Sequence, residues 1–333
     1  MGSAIKGLAA ALFWATSLGA HAIAAEWSIV DLTPEGAGIA TAISQNGNVV
    51  GCRVGSTGET VPFIYANGAR RDLQAPAGST SCALAVNNNG VAAGRVDGEI
   101  TIWDSGSVRG LGVQGNVTGI NDAGIVVGAI TDGPYNAGGP TRAFMWDGAF
   151  RDLGISGTAI GINQRGQVAV ISAGNLYLYE NGVLRDLGAN VVNAYGFNDR
   201  GEIVGMAGFG HGPEPFIYDG AVHPIPGGGS YAGAVGINNV GQVLGSGEGI
   251  YGFLIDGGQS YIIDRLAGVA GTSWHHTEPK AINDRGWIVG QGGSPDFHAF
   301  LLTPRQASTP VLTANPVARA APGTRPTVRA RGP

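Results

Sequence analysis

Outside its first 25 residues the chain has no apolar run of the roughly 18–20 residues that a bilayer-spanning helix requires. Long stretches of amphipathic helical periodicity are absent too, and charge is scarce, at 13% Asp, Glu, Lys and Arg. No G-x-S-x-G elbow presents a serine, neither of the two cysteines sits in a catalytic Cys–His motif, and no glycine-rich phosphate loop leads into a helix. Single carboxylates in the turns miss calcium-loop spacing. Composition and motifs therefore supply no recognisable catalytic set.

Glycine, at 59 residues, is the commonest amino acid. Short β-branched and aromatic runs separated by N-G and D-G pairs read as strands joined by tight turns. The N-terminus differs. Lys6 followed by the apolar "GLAAALFWATSLGA" (7–20) and small residues around "AHA" and "AIA" predicts a signal peptide over 1–25, cleaved after Ala22, Ala24 or Ala25. No twin arginine and no lipid-acceptor cysteine accompanies it. The stretch 304–333 holds five arginines, six prolines and no acidic residue, and reads as a disordered tail. Between these ends, 26–303 carries all 24 acidic side chains against 13 basic ones. An acidic body argues against nucleic-acid binding.

One phrase recurs seven times: "ISQNG" (43–47), "VNNNG" (86–90), "INDAG" (120–124), "INQRG" (162–166), "FNDRG" (197–201), "INNVG" (237–241) and "INDRG" (282–286). Its glycines are 43, 34, 42, 35, 40 and 45 residues apart, the range of a propeller blade. The compact fourth unit shows four strands: "AIGIN" (159–163), "QVAVIS" (167–172), "NLYLYE" (175–180) and "VLRDLG" (183–188). The turn chemistry explains the phrase. Asn suits the first position of a type I turn, where its side chain bonds following amides, and Gly ends the turn in the left-handed region. The carboxylates in it belong to the turn and are not a catalytic set.

The third strand and its turn repeat as well, in "PFIYANGARRDL" (62–73), "TIWDSGSVRGLG" (101–112), "AFMWDGAFRDLG" (143–154), "PFIYDGAVHPIP" (215–226) and "GFLIDGGQSYIID" (252–264). These strands, with Trp103 and Trp146, are expected to pack between sheets. The pattern A-x-x-I-N-D-x-G-x-V-V-G, then H-A-F-L-W, then D-L-G, resembles the HAF-repeat extracellular proteins over roughly 27–303. The triplet itself stands here as His298-Ala299-Phe300. The resemblance implies an exported repeat protein and carries no activity with it.

The expected fold is all-β, a β-propeller of about seven four-stranded antiparallel blades. "HAFLLTP" (298–304) leaves the last unit without a fourth strand, and "WSIVDL" (27–32) resembles the missing one. An N-terminal strand completing the last blade would close the ring and hide its edges. Two domains or a β-solenoid are the alternatives. Cys52 ends a second strand and Cys82 begins the next first strand, so both reach the same face on adjacent blades, and a Cys52–Cys82 disulfide is expected.

With strands counted from the axis outward, the second-to-third loops and the links between units share one face and vary most. Variable loops on a rigid scaffold are where binding resides. This rim is expected to carry Tyr135, His211, Trp274, His275, His276, Glu278, Asp296 and His298 as ligand-binding residues. His275, His276 and Glu278 have the chemistry of zinc or copper ligands, but not the H-E-x-x-H spacing, and no metal or cofactor is expected. Trp274 and Tyr135 offer flat stacking surfaces. His223 falls on the short-loop face and receives no role.

Three functional classes follow. The first is an exported, monomeric, non-enzymatic module, periplasmic or extracellular, binding a glycan, a peptide or an envelope protein. The second is a metal-assisted lyase or hydrolase acting on a polysaccharide, with His211, His275, His276 and His298 in its site. The third is a structural surface or matrix protein without a pocket.

Overall fold

The computed structural model describes residues 26–133, 139–210, 212–226, 232–247, 252–293 and 296–305. The expected signal peptide and residues 306–333 of the expected tail lie outside that set, as do Tyr135 and His211.

Strand β1 is Glu26–Asp31. Unit one comprises β2 (Gly38–Ile43), β3 (Val49–Val54), β4 (Thr60–Ala66) and β5 (Ala69–Asp72). Unit two has β6 (Ser81–Val86), β7 (Ala92–Val96), β8 (Glu99–Asp104) and the first half of β9 (Ser107–Ile120). The second half of β9 opens unit three, followed by β10 (Val126–Thr131), β11 (Thr141–Trp146) and β12 (Phe150–Ser156). Unit four is β13 (Thr158–Ile162), β14 (Val168–Ser172), β15 (Asn175–Glu180) and β16 (Val183–Asn190). Unit five is β17 (Asn193–Phe197), β18 (Ile203–Gly208), β19 (Pro213–Tyr218) and β20 (Val222–Pro224). Unit six is β21 (Gly233–Ile237), β22 (Val243–Ser246), β23 (Gly252–Asp256) and β24 (Gln259–Ile262). Unit seven has β25 (Glu278–Ile282), β26 (Ile288–Gly292) and β27 (His298–Arg305). Every neighbouring pair within a unit is antiparallel.

Two connections depart from simple repetition. Units two and three form one seven-stranded sheet, because β9 leaves β8 at Gln114 and joins β10 at Gly115. A β-carbon at Gly115 would lie 2.3 Å from the Ala129 carbonyl oxygen, so this crossing needs glycine. The second is the closure. Strand β1 pairs with β27 from Glu26↔Arg305 to Asp31↔Phe300, so the N-terminal strand completes the last unit as its spacing predicts. β27 itself runs two residues past the expected body end at 303. Pro304 is accommodated because β26 stops pairing at Leu302, and the missing N–H is not needed on that side.

Apolar side chains alternate into the gaps between units, and the buried residues fall into seven clusters, one per interface. The junction of units one and two holds Val50, Ile64, Leu73, Ala83, Val86, Ala92 and Trp103. The junction across the closure holds Leu32, Ala40, Val49, Phe63, Val289, Ala299 and Leu301. Third-strand Phe63, Phe144, Phe216 and Phe300 are each fully buried, so the Phe of the H-A-F triplet is a packing residue. Trp103 is core as expected. Trp146 is only half-buried: it packs against the core between units two and three, and the Arg109 guanidinium lies 5.1 Å over its ring. The disulfide joins Cys52 on β3 to Cys82 on β6, with their Cα atoms 4.9 Å apart.

Candidate functional site

The first strands of all seven units surround a channel along the axis, with a cavity of about 270 Å³. One mouth is formed by the recurring turns. In each of the six Asn-led turns the Asn side-chain oxygen accepts following amides, as Asn87 Oδ1 does from Asn89 and Val91, both at 3.0 Å. That much follows from turn chemistry. In five of the six the side-chain nitrogen does something else: it donates to the backbone carbonyl of the equivalent turn residue one unit on, whereas Asn163 donates to Gln167 Oε1 of its own unit at 2.7 Å. Asn87 bonds Asn121 at 3.0 Å, Asn198 bonds Asn238 at 3.1 Å, and Asn238 bonds Asn283 at 2.9 Å.

The second turn residue extends this belt. The amide of Asn88 donates to Asp122 Oδ1, that of Asp122 to Gln164 Oε1, that of Gln164 to Asp199 Oδ1, that of Asp199 to Asn239 Oδ1 and that of Asn239 to Asp284 Oδ1, at 2.7–3.0 Å. Asp284 donates its amide to Gln45 Oε1 at 2.8 Å, and the amide of Asn46, one residue further along, closes the circle on Asn88 Oδ1 at 2.9 Å. The turn glycines also make room for a neighbour: a β-carbon at Gly47 would lie 2.7 Å from the Trp287 ring of unit seven. This mouth is thus a fastening, with its polar atoms committed to one another.

Deeper in the channel each first strand carries a β-bulge, three residues before the turn Asn or Ser. The bulged residues are Thr41, Leu84, Thr118, Ile160, Tyr195, Val235 and Lys280, and all seven line the cavity. A bulge re-aims one side chain and sharpens local twist. The V-V-G glycine of the second strand accommodates it: a β-carbon at Gly51 would lie 1.9 Å from the Ile39 carbonyl oxygen, and at Gly290 2.1 Å from that of Glu278. Unit four forms the same bulge opposite Val170, so glycine eases the bulge without dictating it. On the turn side each bulge is followed by Ala or Gly (Ala42, Ala85, Gly119, Gly161, Gly196, Gly236, Ala281), which lets the inner strands approach closely. The frame is repetitive. The seven bulged side chains are six different residue types.

Thr41 and Thr118 spend their hydroxyl protons on the carbonyls of Ala83 and Ala159, at 2.7 and 2.6 Å. Ile160 is buried at 7% exposure, whereas Tyr195 is 44% exposed and its hydroxyl has no hydrogen bond among the described residues. Lys280 Nζ lies 3.3 Å from Glu278 Oε2.

The rim residues expected from sequence are placed as follows. Trp274 is half-buried, edge-on to His298 at 6.4 Å and to Phe300 at 5.9 Å, so it caps the interior of unit seven. His298 Nδ1 meets Asp31 Oδ2 at 2.8 Å, tying β27 to the closing strand. His275 and His276 are exposed, with ring centroids 5.0 Å apart. His276 is the one described non-glycine residue outside a two-residue hairpin turn that has a left-handed φ, +55°, and Asp264 accepts its amide at 2.7 Å. Glu278 Oε2 accepts from Gln291 Nε2 at 2.9 Å, and Asp296 is exposed. The Trp274–Glu278 segment leads directly into β25, so it adjoins the long-loop mouth of the channel. Among the described residues no three His, Cys, Asp or Glu side chains converge in a metal-binding group.

The bulged residues are the part of the site that rim reasoning passes over. A signal for them exists in the sequence. Aligned on the turn Asn or Ser, the inner strands read "TAIS", "LAVN", "TGIN", "IGIN", "YGFN", "VGIN" and "KAIN", and the first column is where residue types diverge most.

Radial four-stranded antiparallel units about a channel, closed by strands from both chain ends, define a β-propeller. The structure resembles that of YCF48 bound to a D1 peptide, at 13% identity and TM-score 0.52, over 84% of this chain and 97% of that one. It also resembles a puromycin-hydrolysing peptidase of Mycobacterium tuberculosis, at 14% identity and TM-score 0.51, over 83% of this chain and 50% of that one. The propeller domain of the Trilobed protease from Pyrococcus furiosus aligns at 14% identity and TM-score 0.47, over 80% and 95% of the two chains. At these identities the likeness concerns the fold. No family model matches the chain, and no curated protein does. No helix among the described residues is long and apolar enough to cross a membrane.

Proposed function

We propose that the chain is an exported, monomeric, non-enzymatic binding module that takes a peptide segment at the long-loop mouth of its channel. The observation that carries this reading is the ring of seven bulges, which sets diverse side chains on a repetitive frame. A scaffold that holds its backbone constant and varies one inward side chain per unit has the form of a recognition surface. Leu84 and Val235 on the ring add apolar contacts that suit a peptide side chain. The YCF48 structure supports the reading to the extent that a propeller of similar fold is bound to a peptide. The Cys52–Cys82 disulfide accords with an oxidising compartment, and so with export and with the HAF-repeat resemblance. Trp274, His275, His276, Glu278, Asp296 and His298 form the outer rim in this proposal.

The test is binding of the secreted chain to a peptide array, repeated with Tyr195→Ala and with Val235→Trp, which fills the channel. Peptides retained by the native chain and lost by both variants are the expected result. Equal retention by all three chains would move recognition away from the channel.

A further inference from the structure

Resting on that reading, we infer that the ligand is an apolar group bearing one carboxylate, and that Lys280 is its ion partner. Among the described residues lining the cavity, Lys280 is the only cationic side chain. Two carboxylates also line it, and both are already occupied. Asp122 accepts the amide and side-chain nitrogen of Asn88 at 2.9 and 2.8 Å, and Asp199 accepts from Gln164 and Asn239 at 2.8 and 2.9 Å. Their oxygens belong to the fastening belt, whereas the ammonium is held only by one long contact to Glu278 among the described residues.

Lys280 has one contact, to Glu278 Oε2 at 3.3 Å, and three protons to donate. The same Glu278 oxygen is held more closely by Gln291, at 2.9 Å. Lys280 can therefore turn to a ligand without stripping Glu278 of its hydrogen bond. Tyr195 stands on the same ring, separated from Lys280 by Val235, with its hydroxyl unspent among the described residues. An ammonium and a phenol on one arc suit the two oxygens of a carboxylate. On the rest of the ring the threonine hydroxyls already donate to Ala83 and Ala159, and Leu84, Ile160 and Val235 are apolar. A cavity of about 270 Å³ accepts a terminal side chain or a short acyl chain, and not a folded partner.

The carboxylate has two plausible carriers, a peptide chain end and a free fatty acid, which separate arms distinguish. Isothermal titration of the full chain uses acetyl-Val-Leu with a free carboxylate against its amide, and octanoate against octanol. Lys280→Met, Lys280→Arg and Val235→Trp are run in parallel, each with its thermal midpoint as a folding control. At least one acid should bind about tenfold or more tightly than its neutral counterpart. That preference should vanish in Lys280→Met, persist in Lys280→Arg, and be lost with all binding in Val235→Trp. The arm showing the preference names the carrier. Acid and neutral forms binding equally, with Val235→Trp abolishing both, would overturn the carboxylate while leaving the channel as a binding site. A preference that survives Lys280→Met, or no binding by any probe at millimolar concentration, would also overturn it.

Discussion

Asn283 donates its side-chain amide to the backbone carbonyl of Ser44 at 3.1 Å, across 239 positions of sequence. The bond joins the last turn of the chain to the first, so a residue that settles its own hairpin also fastens the ring. Asn283 is fully buried and accepts the amides of Arg285 and Trp287, both at 3.1 Å.

If both duties matter, Asn283→Ala should cost about 2–3 kcal/mol, since it removes three hydrogen bonds and leaves buried partners unsatisfied. Urea denaturation should show a lower midpoint at unchanged slope. A loss below about 0.5 kcal/mol would mean the inter-unit bond contributes nothing measurable.

The Cys52–Cys82 bridge closes a loop of sequence separation 30 between adjacent units. Replacing both cysteines with serine should lower stability by about 3 kcal/mol, chiefly by freeing the unfolded chain. Alkylation and intact mass before and after reduction check the bond itself. Full alkylation of the unreduced, denatured native chain would contradict it.

Closure by β1 depends on Trp27, which is 3% exposed and packs with Leu244, Leu254, Phe300 and Leu302 between units six and seven. Trp27→Ala should cost about 3–5 kcal/mol and raise amide exchange first along β27. Its ring nitrogen has no hydrogen-bond partner among the described residues. Trp27→Phe therefore loses no bond and should cost less than about 1.5 kcal/mol.

Arg53 grips Asp72 through two hydrogen bonds, at 2.6 and 3.2 Å, and this holds the Asp72 carboxyl below its ordinary range and the Arg53 guanidinium above its own. A carboxyl lowered on folding stabilises the protein above its unfolded pKa of about 3.9, and that contribution is lost as pH falls through the folded value. Asp72 is substantially exposed, so solvent screening limits the effect to about 0.5 kcal/mol. Asp72→Asn should be slightly less stable than the native chain at pH 7, and the two should converge in strong acid. Paired urea curves from pH 7 to pH 2 measure this, and a gap that widens toward acid would reverse the assignment.

Much of the architecture was legible because its causes are local. The six N-x-x-G turns and their S-x-x-G counterpart, the alternation of strands such as "NLYLYE" and the N-G hairpins specify their conformation within a few residues. The disulfide and the β1–β27 closure followed by counting strands and asking which face each end reaches. The rim was legible as a set of variable loops, yet Trp274 and His298 turn out to be engaged with Phe300 and Asp31 in holding unit seven together. Thr41, Tyr195 and Lys280 were passed over because nothing in a single strand marks a bulge. A two-against-one pairing appears only when a second strand lies alongside.

By itself, then, the sequence determined the repeat, the hairpins, the strand order and the cross-link, all of which follow from side-chain periodicity and backbone preference over short spans. Tertiary structure alone decided which atoms face the axis. Once seven inner strands converge, Asn87, Asn121, Asn198, Asn238 and Asn283 reach the next unit's carbonyl, the carboxylates of Asp122 and Asp199 are taken up by neighbouring amides, and one bulged residue per unit lines the channel. Those outcomes depend on distances between residues some 34 to 45 positions apart, and at the closure 239 apart, which a closed ring brings together.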